Sequence, residues 1–170
     1  MAYRSPKTVP ELRSLMMEPP IDIFDAANAL GLAVFKSPME NNISGKLVQN
    51  HLIDASAGVA GGTSGWSIIV NSAHPYVRQR FTIAHEIGHF IMHRGEEDMV
   101  DGEVVDDQFY RSNMSDEREV EANKFAANLL MPLDVVMRSY MTGKSINEMA
   151  SLFEVSREAM EIRLGKLPGS

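Results

Sequence analysis

His85-Glu86-Ile87-Gly88-His89 is the run of this chain whose residue types and spacing can do chemistry. It lies in an apolar stretch, Phe81 to Met92, long enough to form a helix. Residues four apart share a helix face, so the two imidazoles stand one turn apart and can bind a single zinc ion. Glu86 leaves the same helix one step round, placed to take a proton from water that such an ion acidifies. A chain of this composition would show the pattern by chance about 0.01 times. The chemistry implied is metal-assisted hydrolysis, with His85 and His89 as ligands and Glu86 as the catalytic base.

A catalytic zinc site takes a third protein ligand and leaves one position for water. The chain has no cysteine, so that ligand must be His, Asp or Glu. The metzincin pattern would put a third His six residues beyond His89, but that position is Gly95. His93 shares roughly the face of His85 and His89. Three turns of one straight helix cannot wrap one ion, however, since His85 and His93 stand about 12 Å apart along the axis. His93 is expected beside the site or in a structural role.

A second long helix is expected over Asp116 to Met131, and it carries Glu117, Glu119 and Glu121. At about 100° per residue, Ala122, Ala126, Leu129 and Leu130 fall on the side of Glu119. Glu117 and Glu121 fall near Lys124 and Asn128, on the polar side. A carboxylate aimed into a core is costly unless it is paired or bound to metal. Glu119 is therefore the expected third ligand, and Glu121 the alternative. Asn123 shares the face of Glu119, placed to accept a hydrogen bond from the far nitrogen of a zinc histidine or to bond locally. Tyr110, His93 and Arg78 are candidates for stabilising an oxyanion, and the sequence does not rank them.

The elements that must position these residues are legible in outline. Ile21 to Leu30 has helical spacing and stops at Gly31. Leu32 to Phe35 and Ser44 to Val48 read as short strands around the polar turn at Asn41-Asn42, and Ser67 to Val70 as a third strand. The glycine-rich run from Ala57 to Gly65 reads as a flexible connection, because no Lys-Ser/Thr follows to make a phosphate loop. Pro75 suits the first turn of the motif helix, and Ser115 the N-cap of the second. Beyond Pro132, helices are expected over Leu133 to Tyr140, after the capping box Ser145-Ile146-Asn147-Glu148, and from Ser156 to about Leu164. The acidic stretch holding Glu96, Glu97, Asp98, Asp101, Glu103, Asp106 and Asp107 reads as a solvated loop, or as a landing strip for a basic partner.

Arg80-Phe81-Thr82-Ile83-Ala84-His85-Glu86-Ile87-Gly88-His89 is followed by Glu119-x-x-Ala122-Asn123-x-Phe125-Ala126-Ala127-x-Leu129-Leu130-Met131-Pro132. Together these blocks closely resemble the ImmA/IrrE family of bacterial and phage metallopeptidases, over roughly residues 20–165. The resemblance implies a zinc peptidase with a gluzincin-like site: one Zn2+ per chain held by His85, His89 and Glu119, with Glu86 as base. It implies a protein substrate, in particular a DNA-binding repressor encoded nearby. The fold expected is α+β, a small zincin-like domain. It combines a short three-stranded sheet, the HExxH helix, a second ligand-bearing helix and a C-terminal helical hairpin. Residues 1–20 would form an N-terminal arm, 21–132 the metallopeptidase core, and 133–170 a helical segment packing on that core.

Composition bounds the alternatives. With 170 residues, 44% hydrophobic and 23% charged, the chain can bury a real core. A net charge of −7 and a pI near 5.2 argue against a protein devoted to gripping phosphate backbones. No apolar run approaches a membrane span, Met1 to Glu18 lacks a signal-peptide core, and the absence of cysteine fits a reducing compartment. A cytoplasmic protein without membrane or direct nucleic-acid contacts is expected. Two other readings compete with the enzyme. One is a DNA-binding regulator, through a helix-turn-helix-like segment from Ile146 to Leu164 that carries Arg157, Arg163 and Lys166. The other is a metal-holding module that binds a protein partner without catalysis, as in toxin–antitoxin pairs; an intact Glu86 speaks against it.

Overall fold

In a computed structural model, residues 18–53, 61–93, 103–107 and 116–165 are described. Helix α1 (Ile23–Ala29) starts at Asp22, whose carboxylate accepts the backbone N–H groups of Phe24 and Asp25 at 3.0 Å. It ends where Gly31 takes φ +73°, a conformation that favours glycine. Strands β1 (Ala33–Ser37), β2 (Ile43–Gln49) and β3 (Trp66–Asn71) follow, then helix α2 (Tyr76–Met92), which carries the motif. Strand β4 (Glu103–Asp107) and helix α3 (Asp116–Leu130) come next. The chain closes with α4 (Leu133–Met141), α5 (Ile146–Phe153) and α6 (Arg157–Leu164). The fold is α+β, as expected.

The sheet order is β1-β3-β2-β4, with β1 parallel to β3 and β2 antiparallel to both β3 and β4. β1 and β2 therefore do not close a hairpin on Asn41-Asn42; β3 lies between them. Asn71, fully buried at the end of β3, shows why. Its side chain accepts from the backbone N–H of Met39 and donates to the carbonyls of Met39, Glu40 and Ile43, at 2.9–3.3 Å. Those bonds hold the β1–β2 connection across the end of β3, leaving room for the third strand.

The sheet also carries one strand more than the three expected. Glu103–Asp107, inside the stretch read as a solvated loop, pairs along β2 from Val48 to Ile43, with a bulge between Ile43 and Gly45. Val104 and Val105 explain it: two β-branched residues suit a pleated ladder even among acids. The rest of that stretch, Ser115, Tyr110, the arm up to residue 17 and Ala57 to Ala60 lie outside the described residues.

Helix α2 is buried nearly all round through its middle, with every residue from Thr82 to Phe90 buried. β2 and β3 cover one side, and α3 another. At Gly45 an added Cβ would meet the Thr82 methyl at 2.5 Å and the Ile69 carbonyl at 2.8 Å, so a bare backbone lets the helix lie on β2. One apolar core runs from Ile21 and Leu30 through Ile68, Ile83 and Ile87 to Leu130, Phe153 and Met160. The last three helices thus share the core of the motif helix. Phe153 is fully buried, and truncating such a side chain typically costs about 3–5 kcal/mol.

Two arginines fasten these layers. Arg80 on α2 donates to the carbonyls of Ile21 (2.8 Å) and Glu154 (3.2 Å) and pairs with the Glu154 carboxylate at 3.2 Å. Arg163 on α6 is buried and donates to the Met131 carbonyl at 2.7 Å. Burial pushes its pKa down, and a guanidinium stays charged regardless. A cation counted for the helix-turn-helix reading is thus turned inward, and Arg157 is paired with Glu161 at 2.8 Å. Among the described residues no helix is long and apolar enough to cross a membrane.

Candidate metal centre

The helical spacing of α2 projects His85 and His89 from one side, both nearly sealed from solvent. Their Nε2 atoms stand 2.9 Å apart. α3 crosses this face and brings Glu119 against both rings. Its Oε2 lies 3.2 Å from His85 Nε2 and its Oε1 3.2 Å from His89 Nε2. One ligand atom from each residue falls within 4.8 Å of the others, the only such His/Cys/Asp/Glu group among the described residues.

The donor set fits zinc. The Nδ1–H of His85 donates to Asn123 Oδ1 at 3.0 Å, which leaves the Nε2 lone pair facing the cluster. Burial alone would push the Glu119 carboxyl up, but the two imidazoles against it outweigh burial and hold it well below the usual carboxylate range. Two imidazoles and a carboxylate kept ionised, all aimed at one point, are the composition of a catalytic zinc site. Glu86, fully buried, leaves α2 between the two histidines in sequence.

The remaining sequence candidates fall elsewhere. Glu121, 57% exposed against 25% for Glu119, faces the ring of His93 at 3.7 Å. His93 closes α2 as its C-cap, and its ring packs 5.4 Å from that of His89. Arg78 donates to Ser44 Oγ at 2.8 Å, and its backbone lies about 10 Å before that of His85 along the axis. Glu117 is exposed and lines a groove with Glu121, Lys124 and Asn128 beside Met92 and His93 at the end of α2.

Arg80 and Gly88 drew no separate expectation from the sequence, although Gly88 carried a signal. A glycine in mid-helix is worth about 1 kcal/mol less than alanine unless packing requires it. Packing does: a Cβ there would stand 3.2 Å from the Ala122 Cα and 3.2 Å from Phe125 Cδ1.

Two curated proteins named radiation response metalloprotease IrrE are similar. That of Deinococcus radiodurans is 38% identical over 93 residues, and that of Deinococcus deserti 34% identical over 93 residues. Each match takes in 52% of this chain but only 27% and 32% of the relatives' own lengths. The family described as the IrrE N-terminal-like domain, peptidase M78, matches residues 27–165, which include the whole cluster. With most of its length matched, motif helix and crossing helix included, the chain belongs to the IrrE N-terminal-like family.

Proposed function

We propose that this chain is a zinc-dependent endopeptidase acting on a protein in the cytoplasm, with a DNA-binding transcriptional regulator as its substrate. The observation that carries the reading is the convergence of His85, His89 and Glu119, with the two Nε2 atoms 2.9 Å apart and each 3.2 Å from a Glu119 oxygen. His85, His89 and Glu119 would hold one zinc per chain. Bound there, zinc supplies Lewis acidity, which makes water acidic near neutral pH and polarises a peptide carbonyl. Glu86 takes the proton of the attacking water and passes it to the departing amine. Asn123 holds His85 in the tautomer that offers Nε2. Burial of Glu86 keeps bulk water from competing for that proton.

Support for a regulator as substrate comes from the resemblance of the two sequence blocks, and support for protein cleavage from family membership. The test has two parts. Metal analysis of the purified protein should find about one zinc per chain, lost in His85→Ala and Glu119→Ala. New protein termini should then appear in a lysate of the source organism treated with the wild type and not with Glu86→Gln. A wild type that takes up no zinc would end the enzyme reading. Termini that never fall in a DNA-binding protein would end the substrate reading alone.

A further inference from the structure

The cluster is assembled from two helices, which come close together beside it at Gly88 and Ala122. Gly88 stands three residues after His85 and one before His89; Ala122 stands three residues after Glu119 and one before Asn123. A methyl group built on Gly88 would meet the Ala122 Cα at 3.2 Å and the Ala122 carbonyl oxygen at 3.4 Å. These are backbone atoms, which cannot swing aside as a side chain can. Phe125 Cδ1, the third neighbour at 3.2 Å, can. Ala122 is fully buried, so α3 has no slack on the side facing α2.

We infer that Gly88 and Ala122 are positioning residues: their bare contact sets the distance between the α2 histidines and the α3 carboxylate. It thereby sets the affinity and geometry of the bound metal. The magnitudes support this. Carbon atoms in ordinary contact sit about 3.5–4.0 Å apart, so a methyl at 3.2 Å requires the facing backbone of Ala122 to give by a few tenths of an ångström. Metal–ligand distances tolerate only about 0.2 Å. The displacement exceeds that tolerance at the point where both helices contribute ligands. A helix-favouring residue at Gly88 would therefore loosen the metal while leaving the helix itself no worse off. The inference rests on the zinc reading above, and wild-type zinc binding serves as its control.

The test is Gly88→Ala in the full chain. It measures zinc affinity by competition with a chromogenic chelator, the visible spectrum of the cobalt-loaded protein, and the melting of the metal-free protein. The expected result is zinc affinity lowered by about tenfold, an altered cobalt spectrum, and a metal-free protein that still melts in one cooperative transition, at a lower temperature because the buried contact is overpacked. Ala122→Ser, which adds one atom to the fully buried residue at this contact, should act in the same direction and decides the matter if Gly88→Ala fails to fold. Wild-type zinc affinity and an unchanged cobalt spectrum in the folded variant would overturn the inference. If the wild type itself binds no zinc, the zinc reading fails first, and this inference with it.

Discussion

Arg80 and His85 stand five residues apart on one helix, each 2% exposed, yet their polar atoms are satisfied in opposite ways. All three nitrogens of the Arg80 guanidinium meet acceptors: the Ile21 carbonyl, the Glu154 carbonyl and the Glu154 carboxylate. Donors face acceptors, and the charge is spent on joining the segment before α1 to the turn between α5 and α6. Around His85 the arrangement inverts. Its Nδ1–H has an acceptor in Asn123, but Nε2 faces His89 Nε2 at 2.9 Å and a Glu119 oxygen at 3.2 Å. Nitrogens and oxygens that can all accept converge on one point, and a shared cation or proton reconciles them. Burial of polar groups is common to both positions on α2. The match of donor to acceptor is what separates a fastening from a site.

Substitutions can break that comparison, beginning with the largest effect. Glu86→Gln should lower peptide cleavage by about 10³-fold, within the range of general acid–base catalysis, while zinc content stays at the wild-type level. Normal cleavage by that variant would remove Glu86 from the mechanism. Arg80→Met should lower unfolding free energy by about 3 kcal/mol, because Glu154 and two carbonyls lose their donors. Its folded fraction should still bind one zinc per chain, as read by denaturant unfolding beside metal analysis. If zinc is lost in proportion to stability, the Arg80 fastening and the His85 cluster are one unit and the contrast fails.

Asn123→Ala sharpens the comparison from the other side. Zinc affinity should fall by about tenfold with a small change in melting temperature, the reverse of the Arg80 pattern. Chelator competition and a thermal melt on the same sample would show it. The smallest effect belongs to an exposed charge. Ser145 donates to Glu148 through its backbone N–H at 2.8 Å and its hydroxyl at 2.7 Å, and these bonds hold the Glu148 carboxyl below its usual range. A lowered carboxyl contributes stability that is fully present above the ordinary Glu value near about 4.3 and is lost as pH falls through the lower folded value. Ser145→Ala should shrink that acid-side loss without touching zinc binding, which a pH series of melting curves would register.

Much of the fold was legible because its signals are local. Gly31, Pro132 and the Ser145–Glu148 capping box mark helix ends through contacts within a few residues, and the structure has its helix ends there. The fourth strand was not legible, since two valines among acids make a strand only when β2 offers an edge to pair with. The β1–β2 connection escaped for a similar reason. Asn71, some thirty residues away in the chain, holds it open through bonds that no local pattern announces.

By itself the sequence determined that two imidazoles share one face of a helix, that Glu86 lies between them in the motif, and that Glu119 lies on the apolar arc of the next long helix. Periodicity suffices for each, because a helix fixes the direction of its own side chains. Only the tertiary structure decided what those faces meet. It set Glu119 3.2 Å from both rings, turned Glu121 to His93, and closed the distance between the helices at Gly88 and Ala122. The physical reason is that direction is a property of one backbone, whereas distance between two backbones depends on every contact packed between them.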